Sequence, residues 1–122
     1  WPTDQFETAT GPFYFRQDAD GSAVTRFRVE ARHLNASGAV HGGCMMTFAD
    51  FSCFAIADAD IAGRAVTVNL SGDFLNAAFE GDVLEARGEV TKAGGRVVYV
   101  RGLISAGEKP VLSFTSVVMR VK

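Results

Sequence analysis

Cysteine is scarce in this sequence: Cys44 and Cys53 are the only two. Two thiols in one apolar stretch cannot staple a small secreted domain, so they read as reduced thiols of a cytoplasmic protein. Positive charge is also short. Twelve Lys and Arg against fourteen Asp and Glu leave a net charge of -2, with no basic excess to follow a phosphate backbone, which argues against nucleic acid as a partner. The longest stretch free of Asp, Glu, Lys and Arg runs from Leu34 to Ala49 and holds His41 and three glycines, so no membrane span is expected. Nothing has the pattern of a signal peptide. The sequence begins at Trp1 rather than Met, so a few further leading residues are expected. Internal repeats, low-complexity segments and linkers are missing as well.

What is present suits one small globular domain over residues 1–122: 13.0 kDa, 48% hydrophobic, 21% charged. A domain of this size buries only about two-thirds of its unfolded surface, which leaves room for help from a partner subunit. Period two dominates most of the chain. Gly11 to Arg16 and Ala23 to Ala31 read as a hairpin around the Asp18-Ala19-Asp20-Gly21 turn. Ala65 to Phe74 sets Val66, Val68 and Leu70 against Thr67, Asn69 and Ser71, placing Thr67 on the polar face. Val83 to Lys92, the run through Val98 and Ile104, and Val111 to about Val121 supply three more strands, joined by glycine-rich turns.

One segment departs from alternation. His41 to Asp58 has no proline, and its apolar residues Cys44, Phe48, Phe51, Phe54 and Ile56 cover most of a helical circumference. Such a helix must be buried, and at 1.5 Å per residue it would span roughly 25 Å. The predicted architecture is α+β: one antiparallel sheet wrapped around one long central helix.

The chemistry concentrates at that helix. Gly42 and Gly43 open it, where backbone N–H groups lack intrahelical partners and the dipole is positive. Glycine there either admits a developing oxyanion or simply permits a tight loop-to-helix junction. Asp50 lies between Phe48 and Phe51, where an unpaired carboxylate costs several kcal/mol. It either caps a buried network or performs chemistry, as a nucleophile or as a base acting on water. Asn35, in the loop before the helix, either donates to a carbonyl or satisfies its own backbone. His41 either orients Asn35, approaches a leaving sulfur, or serves the helix start. Eight residues separate Gly42 from Asp50, about 12 Å of helix. One Asp side chain cannot bridge that, so a site using both requires a second helix, and a two-fold dimer supplies it.

Other chemistries fit less well. His33, His41 and Cys44 lack the further ligands of a zinc site. A Cys44 thiol activated by the helix start competes with Cys44 as a small buried hydrophobe. No phosphate-binding or dinucleotide glycine pattern occurs, and Gly94-Gly95 is a hairpin turn.

The pattern Asn35-x-x-Gly38-x-x-His41-Gly42-Gly43, followed by Asp50, resembles the signature of hotdog-fold acyl-CoA thioesterases of the phenylacetic-acid-degradation type. The resemblance runs from about Gly11 to the end. It implies a hotdog fold, subunits paired as a homodimer or dimer of dimers, and hydrolysis of acyl-CoA without cofactor or metal. By the same resemblance the Gly42 N–H and Asn35 polarise the thioester carbonyl, with His41 beside them. Asp50 of the other subunit acts as nucleophile or general base, and Thr67 matches a hydroxyl that places water. Gly43, Met46 and Phe51 are then expected along the acyl group, and Arg64 and Arg96 near the coenzyme A phosphates. A non-catalytic acyl-CoA-binding module is the alternative, and Asp50 distinguishes the two.

Overall fold

The computed structural model describes residues 4–121; Trp1, Pro2, Thr3 and Lys122 lie outside them. In chain order the elements are α1 (Gln5–Thr10), β1 (Tyr14–Gln17), β2 (Ala23–Arg28), a 3-10 turn (Ala31–His33), α2 (Gly42–Ile56), α3 (Asp58–Ile61), β3 (Ala65–Phe74), β4 (Val83–Ala93), β5 (Val97–Ala106) and β6 (Lys109–Arg120). The strands form one antiparallel sheet in the order β1-β2-β4-β5-β6-β3. The α+β expectation holds, with α2 packed on the sheet's inner face. No helix among the described residues is long and apolar enough to cross a membrane.

Burial explains the long helix. Met45, Phe48, Ala49, Phe51, Ser52, Cys53 and Ala55 of α2 are buried, and Phe48 meets Phe13 and Phe27 in one aromatic cluster. Gly88 and Gly102 face each other across β4 and β5. A Cβ at Gly102 would run into the Phe114 ring of the neighbouring strand and one at Gly88 into Ile56 of α2, so Gly102 makes room for that ring and Gly88 lets the helix lie close to the sheet. The buried hydroxyls are satisfied in series. Ser52 donates to the Phe48 carbonyl at 2.7 Å, and Thr25 therefore donates to Ser52, also at 2.7 Å.

Three features depart from the sequence expectations. Residues 5–10 form α1 rather than lying outside regular structure; Asp4 caps it by accepting from the Glu7 N–H at 2.9 Å. The first hairpin strand consequently begins at Tyr14, not Gly11. The central helix ends at Ile56, and the short α3 follows.

The third departure moves the site. The strict alternation expected for β3 is broken by a register shift between Thr67 and Asn69. Before it, Thr67 lies opposite the buried Val118; after it, Leu70, Gly72 and Phe74 lie opposite Ser116, Phe114 and Leu112, all buried. Odd positions face the helix before the bulge and even ones after it. Thr67 thus shares the inner face with Leu70, while Val66 and Val68 are 45% and 58% exposed.

Candidate active site

The loop before α2 is organised by Asn35. Its side-chain oxygen accepts from the N–H groups of Ser37 and Ala39 at 2.9 and 3.2 Å, and Gly38 adopts φ +84 to close the turn. The loop-satisfying reading of Asn35 is therefore realised. It also fixes the amide: with the oxygen committed to the loop, the NH2 is the end left to donate outward.

His41 is the N-cap of α2, and its Nδ1 accepts from the Gly43 N–H at 2.9 Å. Since Nδ1 accepts, the ring proton belongs on Nε2. The Met45 N–H closes onto the His41 carbonyl. Among the described residues the Gly42 N–H has no acceptor. Gly42 is also tightly placed, because a Cβ there would stand 3.2 Å from the Phe74 ring. Both the junction and the open donor are thus real features of this glycine pair.

Asp50 is half-buried rather than sealed in the core. Its Oδ1 accepts from the Thr67 hydroxyl at 2.7 Å, so the carboxylate is partnered rather than isolated in an apolar helix. Gly43, Met46, Thr47, Asp50, Thr67 and Leu70 line an open cleft of about 450 Å³, closed on one side by Phe6 and Glu7 of α1. A second cleft, about 510 Å³, continues past Asp50 and Thr67 to Phe54, Ile61, Arg64 and Ala65, again with Glu7 on its wall. Grooves on the outer face of the sheet, around Arg87 and Leu103, hold none of Asn35, His41, Gly42, Asp50 and Thr67.

The structure thus gathers Asp50, Thr67, Gly43, Met46 and Arg64. Asn35, His41 and Gly42 lie at the start of the helix, and Gly42 and Asp50 are separated by eight residues of continuous helix. Phe51 is buried against Phe13 in the core, and Arg96 lies at the β4–β5 turn, with its guanidinium 3.7 Å from the Met119 sulfur. His33 is structural: Nδ1 accepts from the Glu30 N–H, and Nε2 therefore donates to the Thr10 carbonyl at 2.6 Å. Burial pushes the Cys44 thiol up, opposite to the activation that a helix start could have given.

Glu7 was missed. Burial, followed by the nearby Asp4 and Asp50 carboxylates, pushes its carboxyl up to about 7. The signal was present, because Asp4-x-x-Glu7 is a helix-start pattern of the capping type.

A sequence model of the thioesterase superfamily matches residues 37–113, a span that contains Asp50 and Thr67. The chain belongs to the thioesterase superfamily. This thioesterase is 37% identical to a Pseudomonas aeruginosa protein over 109 residues, 88% of this chain and 81% of the other. It is 33% identical to the Escherichia coli acyl-coenzyme A thioesterase PaaI over 96 residues, 78% of this chain and 68% of PaaI. The structure of E. coli PaaI superposes with a TM-score of 0.84 at 28% identity, covering 98% of this chain and 86% of that one. A hypothetical thioesterase of Streptococcus pneumoniae, solved with coenzyme A, gives 0.77 at 26% identity, over 88% of this chain and 86% of that one. The thioesterase has the hotdog fold expected from its motif, and it is a thioester hydrolase.

Proposed function

We propose that this thioesterase hydrolyses acyl-CoA to a carboxylic acid and free coenzyme A, at sites shared between two subunits. One observation carries the reading: the Asp50 carboxylate, held by Thr67 at 2.7 Å, faces an open cleft along the least covered flank of the central helix. The thioester carbonyl rests on the Gly42 N–H and the Asn35 NH2 of one subunit, donors that stabilise the oxyanion as it forms. Asp50 of the other subunit attacks the carbonyl carbon, directly or through water, and Thr67 sets its angle. His41 holds the helix start that presents Gly42. Met46 lines the acyl path, and Arg64 supplies a cation near the cleft for the coenzyme A phosphates. The coenzyme A carried by the pneumococcal neighbour and the named activity of PaaI support this substrate class.

Two surfaces support the pairing. Gly43, Met46, Thr47, Asp50 and Phe54 form a stripe along α2 that this chain covers only in part. Beside it β3 is the terminal strand of the sheet, with Val66 and Val68 exposed along it. A two-fold partner across that edge would cover both and bring its own Gly42 toward Asp50. A dimer of dimers extends the same pairing. The free cysteines fit a reducing compartment, and we place the enzyme in the cytoplasm.

The test is a panel of aryl, short-chain and long-chain acyl-CoAs with detection of released thiol. Thiol release from at least one, abolished by Asp50→Asn with substrate binding retained, is the expected result. Wild-type kcat in Asp50→Asn would remove Asp50 from the mechanism.

A further inference from the structure

Helix α1 carries its side chains the wrong way round for simple packing. It leaves Phe6 67% exposed and turns Glu7 toward the protein, where the acid is half-buried. A local rule broken in this way points to a functional constraint. The helix is anchored at its far end: Arg32 donates to the carbonyls of Ala9 and Gly11, and His33 donates to that of Thr10. Those anchors come from the turn that leads into the Asn35 loop, so α1 is tied to the same framework as the helix start.

Glu7 stands on the wall of both clefts that contain Asp50 and Thr67. The groups around it are Asp4 at its own helix start, Asp50 from α2, Asp58 from α3, Arg64 ahead of β3 and the Thr67 hydroxyl. A thiolate released where acidic side chains outnumber the one cation, Arg64, is poorly stabilised, so a proton donor at sulfur serves this site.

We propose that Glu7 is the general acid of the reaction, giving its proton to the coenzyme A sulfur as the C–S bond breaks. The assignment rests on the thioesterase reading above and adds a residue to it. Written for attack through water, Asp50 takes one proton as the water oxygen bonds to the acyl carbon. The C–S electron pair moves to sulfur, which takes the Glu7 proton and leaves as the thiol. The proton on Asp50 then returns to Glu7 through the cleft they share, and the products are one carboxylic acid and one thiol. Two carboxyl groups thereby divide the base and acid roles. Burial prepares Glu7 for its part, holding its carboxyl near 7 so that the proton is present at neutral pH.

The experiment compares two thioesters of one acyl group: the coenzyme A ester, whose leaving thiol is weakly acidic, and the 4-nitrothiophenol ester, whose leaving thiol needs no proton. Glu7→Gln should lower kcat on acyl-CoA about 100-fold and leave the nitrothiophenyl ester near wild type. The wild-type kcat on acyl-CoA should fall as pH rises through about 7, and Glu7→Gln should lose that limb. Glu7→Asp, which keeps the acid one methylene further back, should recover part of the acyl-CoA rate. Equal losses of Glu7→Gln on both esters, or no loss on acyl-CoA, would overturn the assignment. If Glu7→Gln does not fold, the wild-type alkaline limb decides: its absence also overturns the assignment. Asp50→Asn separates this failure from failure of the parent reading, because that variant should be inactive on both esters whatever Glu7 does.

Discussion

The Thr67 hydroxyl donates to Asp50 Oδ1 over 2.7 Å, tying the terminal strand of the sheet to the middle of the central helix. The bond exists because the bulge after Thr67 lets this residue face inward on the same side as Leu70. Removing the hydroxyl frees the carboxylate to rotate. Thr67→Ala should lower kcat roughly 10- to 100-fold with a small change in KM, while Thr67→Ser keeps most of the rate. Steady-state kinetics on the preferred acyl-CoA decides it, and equal kcat in Thr67→Ala and wild type would leave Thr67 without a positioning role.

The proposed mechanism gives Asn35 a second job besides holding its loop, one for each end of the amide, and two variants separate them. Asn35→Asp keeps an oxygen for the Ser37 and Ala39 N–H groups but removes the outward NH2. Its unfolding midpoint should stay close to wild type while kcat falls about 10²–10³-fold. Asn35→Ala loses both ends, so it should show the same kinetic loss and about 1 kcal/mol less stability. An active Asn35→Asp enzyme would assign the residue to the loop alone.

Mixed mutants test the shared site. Co-expression of Asn35→Ala with Asp50→Ala gives heterodimers in which one site unites both lesions and the other has neither. With random pairing half the dimers are mixed and half their sites work, so roughly a quarter of wild-type activity should return. If each site used its own Asn35 and Asp50, nothing would return. Sedimentation of the wild type at micromolar concentration should give a dimer or larger, and an active monomer would refute the pairing.

Glu7 makes a thermodynamic prediction independent of catalysis. Its carboxyl ionises near 4.5 in the unfolded chain and at about 7 in the folded one. Between those values the folded state binds more protons, so stability falls as pH rises through that window and levels off above it. Because Glu7 is partly solvated, the loss should be on the order of 1 kcal/mol rather than the full equivalent of the shift. Glu7→Gln should therefore be more stable than wild type at pH 8, with the difference vanishing toward pH 4.5. Urea midpoints at a fixed protein concentration measure it, and a pH-independent difference would contradict this environment for Glu7.

The order of the six strands and of α2 was legible in the sequence because it rests on local properties. Period two marked β3 to β6, the absence of alternation marked α2, and the Asp18–Gly21 turn marked the first hairpin. The helix start was legible too, since Gly42, Gly43 and the cap residue His41 adjoin in the chain and act through adjacent backbone groups. The tertiary structure alone decided what Asp50 meets. Its partner Thr67 is 17 residues away, and alternation placed that residue on the polar face. One bulge reverses side-chain parity without altering composition, so periodicity cannot register it. The same holds for Glu7. Its helix is six residues long, too short to be stable alone, and forms because the Arg32 and His33 side chains and the flank of α2 hold it. Hydrophobic period reports which face of a segment is apolar, but which segments meet is set by packing between residues far apart in the chain, and Glu7 and Asp50 come to line one cleft through such packing.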